Sequence, residues 1–254
     1  ADFVLAQHQD VVMNTQATAG LERLKTDLST LKNVLPVSIW SKLRMDTIWI
    51  EKEIVSIRYL KNEGNGSTKG TIRIGDLGKY LDETGKNQPA LLLNYLSQMY
   101  FDKYMNSSLK DQINQHYASV KDSKYQRVYR SNGTKLVKDQ TPDAVKDAMT
   151  YFAESTEAYL SENDYYPFDY QDLERYDPDM LVLLQPLWGT RTFDPNPDGI
   201  TLPPKELKQW LEMKESSLDL YYAKYLDYNG LPILSSRFVS DSALVQARYI
   251  IETM

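Results

Sequence analysis

Side chains able to do chemistry are scarce in this sequence. There are two histidines, His8 and His116, and no cysteine among 254 residues. Without cysteine there can be no disulfide, thiolate zinc site, iron–sulfur cluster or cysteine nucleophile. Both histidines lie in polar stretches, His116 within Ile113–Ala118 on a polar helix, and each reads as a solvated side chain rather than a ligand. No serine occupies a G-x-S-x-G elbow, and no glycine-rich phosphate loop is present. Acidic residues recur at Asp139, Asp143 and Asp147. Asp143 and Asp147 share one helix face near an N-terminus, where the macrodipole favours carboxylates, so they need no Ca²⁺ to explain them. The run from Asp194 to Gly199 lacks the alternating ligands and closing Glu of a Ca²⁺ loop, and its two prolines suit a rigid turn.

The elements that must carry these residues follow from periodicity. Leu21, Leu24, Leu28 and Leu31 predict an amphipathic helix over 15–34, stopped by Pro36. Strands are expected at 46–51, 53–60 and 71–75, with a loop over 62–70. Pro89 sits at the first turn of a helix reaching Tyr104 that is apolar on most faces and therefore central. Further helices are expected over 109–120, over 141–160 with Thr141 or Asp143 near its cap, and over 170–188, delimited at Asp177-Pro178. Asn132-Gly133 predicts a hairpin over 128–137. The proline-rich stretch 193–204 marks a linker. Beyond it, 205–226 is helical in pattern, Asn229-Gly230 makes a turn, and 241–253 is a last helix. The division expected is a domain over 1–190, a linker over 191–204 and a mainly helical extension over 205–254.

Bulk composition narrows the function classes. Hydrophobic residues make up 42% and charged residues 25%, so a packed core is expected and disorder is not. The net charge of −6 disfavours nucleic acid, whose phosphates need a basic footprint. No apolar run is long enough to span a membrane. The chain starts at Ala1, which fits a processed N-terminus. Three N-x-S/T triplets begin at Asn65, Asn106 and Asn132 in polar, turn-prone settings, giving three candidate glycosylation sites and a secreted setting. The 19 tyrosines, apolar bodies with polar tips, suit interfaces as well as ordinary packing.

Three segments carry a family resemblance. LLLNYLSQMYFDKY (Leu91–Tyr104), TYFAESTEAYLSENDYYPF (Thr150–Phe168) and LERYDPDMLVLLQPLW (Leu173–Trp188) stand in order. The region from Leu21 to Trp188 resembles the gluzincin-type zinc metallopeptidase domains related to the toxin lethal factor, in secreted versions. There an HELAHAYHD-like helix is followed by EYFAEATEAYFxxNDFYPF and then by ExDPEMYxLLxxxW. The resemblance implies an α+β, zincin-like fold with a small twisted sheet over a central helix. It also implies an erased active site. The two histidine ligands correspond to Asn94 and Gln98, the general base to Tyr95, and the third ligand to Thr150. Counting back to the family's oxyanion-stabilising tyrosine lands on Asp143, while Glu154, a supporting residue in the family, is retained. Amides, a phenol and a hydroxyl are poor substitutes for imidazole and carboxylate toward Zn²⁺. The segment Tyr221–Met254 resembles the opening of a related secreted module, FYxKYVDAxGxPVxxSxxVxDxALxxAxxIVxxML.

The expectation is a secreted pseudopeptidase that has no metal or other cofactor. It acts by binding a protein or peptide or by assembling into a homo- or hetero-oligomer, with the edge strand of its sheet available to an extended segment, or it serves as a structural or matrix component in which the fold is a building block. The competing expectation is an enzyme of another class that reuses Glu154 and Asp143 without zinc. The apolar stripes of 205–254 lead to a further expectation, that this tail packs against another chain or against a continuation of its own precursor.

Overall fold

The computed structural model describes residues 3–52, 55–61, 70–86, 88–132, 135–189, 199–215 and 218–254. Helices and small sheets are mixed in it, and the chain divides into two compact units, Ala1–Arg191 and Thr192–Met254. Asn65 and most of the expected proline-rich linker lie outside the described residues.

The first unit opens with β1 (Val4–Gln7), α1 (Thr15–Val34) and α2 (Val37–Leu43). It continues through β2 (Thr47–Ile50), β3 (Ile57–Leu60), β4 (Thr71–Ile74) and α3 (Leu77–Lys86). The leucine stripe of α1 is its buried face: Leu24, Leu28 and Leu31 are in the core. Asn14 caps this helix by accepting from the Ala17 N–H at 2.8 Å. A Cβ at Gly20 would lie 2.1 Å from the Leu77 carbonyl oxygen, so only glycine lets α1 approach the start of α3 this closely. The strands form one sheet in the order β1-β2-β4-β3. The first three are parallel, and β3 runs antiparallel at the edge. All four positions of β4 are buried, Arg73 included. Its guanidinium is met by Glu51 and lies over the Trp49 ring at 5.0 Å.

Next come α4 (Leu91–Lys103), α5 (Ser107–Val120), β5 (Val128–Ser131), β6 (Leu136–Gln140) and a 3-10 turn over Asp143–Val145. The unit closes with α6 (Ala148–Leu160), α7 (Tyr170–Tyr176) and α8 (Pro178–Trp188). Helices α4 and α6 pack together at the centre of the core. In α6 every residue from Tyr151 to Tyr159 is buried. Its start differs from the sequence expectation of a helix from 141. Asp143 lies in the separate 3-10 turn, and the cap is Asp147, which accepts from the Thr150 N–H at 2.8 Å. The Asp147 carboxylate accepts from the third N–H of the helix, a donor with no partner inside the helix. The helix expected over 170–188 is divided at Asp177, because Pro178 has no N–H to continue α7 and instead starts α8.

The second unit contains α9 (Lys205–Lys214), α10 (Leu218–Tyr221), the hairpin β7 (Tyr222–Tyr228) and β8 (Leu231–Ser236), and α11 (Asp241–Glu252). The helical pattern read over 205–226 ends early, because Tyr222–Leu226 belong to β7. Asn229 and Gly230 both take positive φ, 51° and 86°, which closes a two-residue hairpin turn and pairs β7 with β8. The small core of this unit gathers Ile200, Leu226 and Leu244, with Ile233 and Val245 packed against it. Trp210, Met213, Tyr221 and Ile250 are exposed. Among the described residues, no helix is long and apolar enough to cross a membrane.

Candidate functional site: the α4–α6 helix pair

The site expected from the sequence lies where α4 crosses α6. The Asn94 amide Nδ2 donates to Glu157 Oε2 at 2.8 Å, and Gln98 Nε2 donates to Asn94 Oδ1 at 2.7 Å. Asn94 and Gln98 are one turn apart on α4, so both reach toward α6. Thr150 does not join them. Its hydroxyl donates to Asp147 at 2.8 Å, and it sits two turns before Glu157, roughly 10 Å back along the helix axis. Tyr95 is half-buried. Burial first, then the nearby charges of Asp143, Glu83 and Glu157, push its phenol up to about 12, so it stays protonated across the physiological range. Asp143 is exposed and pairs with Lys146 at 2.7 Å.

The residues do not fit a zinc ion. The group that meets α4 is a carboxyl held by amides, and Thr150 lies out of line with it. Among the described residues, no set of three or more His, Asp or Glu side chains is placed to hold a metal.

The structure adds two acids, Glu157 and Asp164, beside Glu154, which the sequence already singles out. Glu154 and Glu157 are both 5% exposed on successive turns of α6. Burial, reinforced by Asp164 and Asp143, raises the Glu154 carboxyl well above the carboxylate range, against hydrogen bonds from the Asn163 side chain and the Ala144 N–H. Burial and Asp164 raise Glu157 likewise, against the Asn94 amide. Asp164 is itself buried, and burial carries it to about 6 in spite of Arg130 Nε at 3.0 Å and Gln88 Nε2 at 3.5 Å. The available signal for Glu157 was a second acid three residues after Glu154 in a helix that carries no other charge.

His116 was expected to be solvated, and the structure corrects this. Its Nε2 lies 2.8 Å from Asp177 Oδ1, and Asp177 is fully buried. Tyr125 and Tyr151 donate to the other Asp177 oxygen. Burial opposes ionisation of Asp177, but these donors outweigh it and hold the carboxyl below its ordinary range. The network ties α5, α6 and the α7–α8 junction together. His8 is exposed beside Asp10.

Asn106 and Asn132 are exposed. Asn106 Oδ1 caps α5 by accepting from Leu109 N–H at 2.9 Å, and Asn132 Oδ1 accepts from Lys135 N–H at 3.0 Å. The aromatic run after α6 is packed rather than displayed: Phe168 is fully buried, and the Arg130 guanidinium covers Tyr165 at 4.8 Å.

A separate cavity of about 380 Å³ lies beyond the carboxyl ends of β1, β2 and β4. Ligands of open parallel sheets bind in such places. Its acidic lining is already engaged, Asp76 with the Lys79 N–H at 3.0 Å and Glu51 with Arg73. No protein-family model, curated protein or solved structure matches the chain.

Proposed function

We propose that this chain is a secreted, zincin-like pseudopeptidase that acts by binding or assembly rather than by hydrolysis. The observation that carries the reading is the Asn94–Glu157 hydrogen bond, closed from behind by Gln98. In this reading, neutral amides and a buried carboxyl take the place that the family resemblance gives to a metal. None of these groups activates a water at neutral pH as a zinc ion does.

The binding surface proposed is the edge of β3, which packs against α4. The Ser56 and Leu60 carbonyls point toward β4, where they accept from Gly75 and Gly70. By strand alternation, the backbone groups of Ile57 and Tyr59 then face outward. Among the described residues, no strand lies beyond them. Such an edge takes an extended peptide by main-chain pairing.

The experiment is a titration of the full chain with a mixed library of unstructured peptides, followed through amide chemical shifts and peptide mass. The reading expects shifts centred on Ile57 and Tyr59 and peptides recovered intact. Shifts elsewhere, or none, would remove the peptide-groove form. Cleaved peptides would favour the other reading, an enzyme of another class working through Glu154 without zinc, which is supported by the raised carboxyl there.

A further inference from the structure

Glu154 and Glu157 share an environment built almost wholly from neutral donors and other acids. Asn94 on α4 reaches Glu157, with Tyr95 beside it. The Ala144 N–H of the 3-10 turn and the Asn163 side chain reach Glu154. Asp143 and Asp164 face the pair with like charge, and Glu83 of α3 faces Tyr95. The cation close by, Arg130 on β5, is given to Asp164.

A second observation points the same way. Asn163 is only 4% exposed, its side chain hydrogen-bonds Glu154, and its Oδ1 has no donor. As placed, Nδ2 is the atom that donates to Glu154, and the orphaned Oδ1 lies on the other side of the amide. Flipping the amide turns Oδ1 toward Glu154, where a protonated carboxyl donates to it.

We propose that Glu154 and Glu157 form a proton-operated latch: proton uptake locks α6 to α4 and to the Asn163–Asp164 turn, and proton loss loosens that packing. The consequence is a protein that tightens as its surroundings become acidic. The sign follows from linkage. The unfolded chain releases these protons near the ordinary glutamate value, whereas burial makes the folded chain keep them to higher pH. Stability is therefore fully present below the ordinary value and is lost as pH rises through the folded one. Asp164 is carried to about 6, so over the range above it the glutamates' share is the part of the slope that their glutamine variants remove.

The test follows unfolding and amide hydrogen exchange of the full chain from about pH 6 to about pH 9. The folding constant should fall with rising pH by up to about tenfold per carboxyl per pH unit, and the amides of α4 and α6 should lose protection together. Glu157→Gln keeps the acceptor for Asn94 and adds a donor where the acid proton would be, so it and Glu154→Gln should each flatten the slope. An unchanged slope in both variants, or a wild type that gains stability over this range, overturns the latch. Should a variant not fold, infrared spectroscopy of the wild type decides. A protonated carboxylic-acid band present at neutral pH and lost on unfolding supports the proposal, and its absence overturns it.

Discussion

Asn94 on α4 donates to Glu157 on α6 at 2.8 Å, two turns along from Thr150, the residue at which the family resemblance puts a metal ligand. This contact joins the two central helices alongside apolar packing such as Phe101 against Phe152. The Asn94 amide turns to a buried carboxyl on α6, and Gln98 donates to its oxygen, which leaves its nitrogen to donate to Glu157.

Removing that donor should be costly. Asn94→Leu leaves Glu157 buried with its principal donor gone, and we expect a loss of about 1–3 kcal/mol in chemical denaturation. Adding Glu157→Leu should recover part of the loss, because both polar partners are then gone. Equal and additive losses would show that the two side chains do not act as a pair.

Asp177 should give the opposite pH signature to the glutamates. Its folded carboxyl lies below the ordinary range, so its contribution is present above the ordinary value and is lost as pH falls through the folded one. Asp177→Asn should weaken the fold at neutral pH by at least about 2 kcal/mol and reduce acid sensitivity. A variant with wild-type acid denaturation would remove the network from the account.

The sequence made some of this visible and not the rest. Leucine spacing outlined α1, and the apolar run after Pro89 outlined α4, because both helices bury a face that repeats at the helical period. β1, with four residues, and α2, with seven, are too short for a period to emerge, and Gly78 and Gly85 obscure α3. Pro142 drew the start of α6 forward, although Asp147 caps it. Tyr222–Leu226 fit a helical stripe and a strand equally, and the Asn229-Gly230 turn decided between them. Pairings such as His116 with Asp177, or Asn94 with Glu157, depend on how helices far apart in sequence register, which spacing within one helix does not encode.

The sequons separate two roles of one residue. Asn106 caps α5 through Oδ1, whereas a glycan would attach to its nitrogen. Expressed in a glycosylating host, Ser108→Ala should remove one glycan mass with little change in stability. Asn106→Ala should remove the glycan and cost about 1 kcal/mol. Unmodified Asn106 and Asn132 in intact-mass measurements would withdraw the main support for secretion.

The second unit buries a small core and leaves Trp210, Tyr221 and Ile250 each about half exposed. We expect the purified chain to form a dimer or larger assembly in light scattering, with Trp210→Ser shifting it toward monomer. A monomer at micromolar concentration would remove assembly from the proposed function.

Zinc content separates a pseudopeptidase from a working metallopeptidase. Asn94, Tyr95, Gln98 and Thr150 offer two amides, a protonated phenol and a hydroxyl that already donates to Asp147. After dialysis of the full chain against micromolar Zn²⁺ and then metal-free buffer, elemental analysis should find far less than one zinc per chain. One tightly retained zinc per chain, lost on substituting Asn94 and Glu157, would contradict the account.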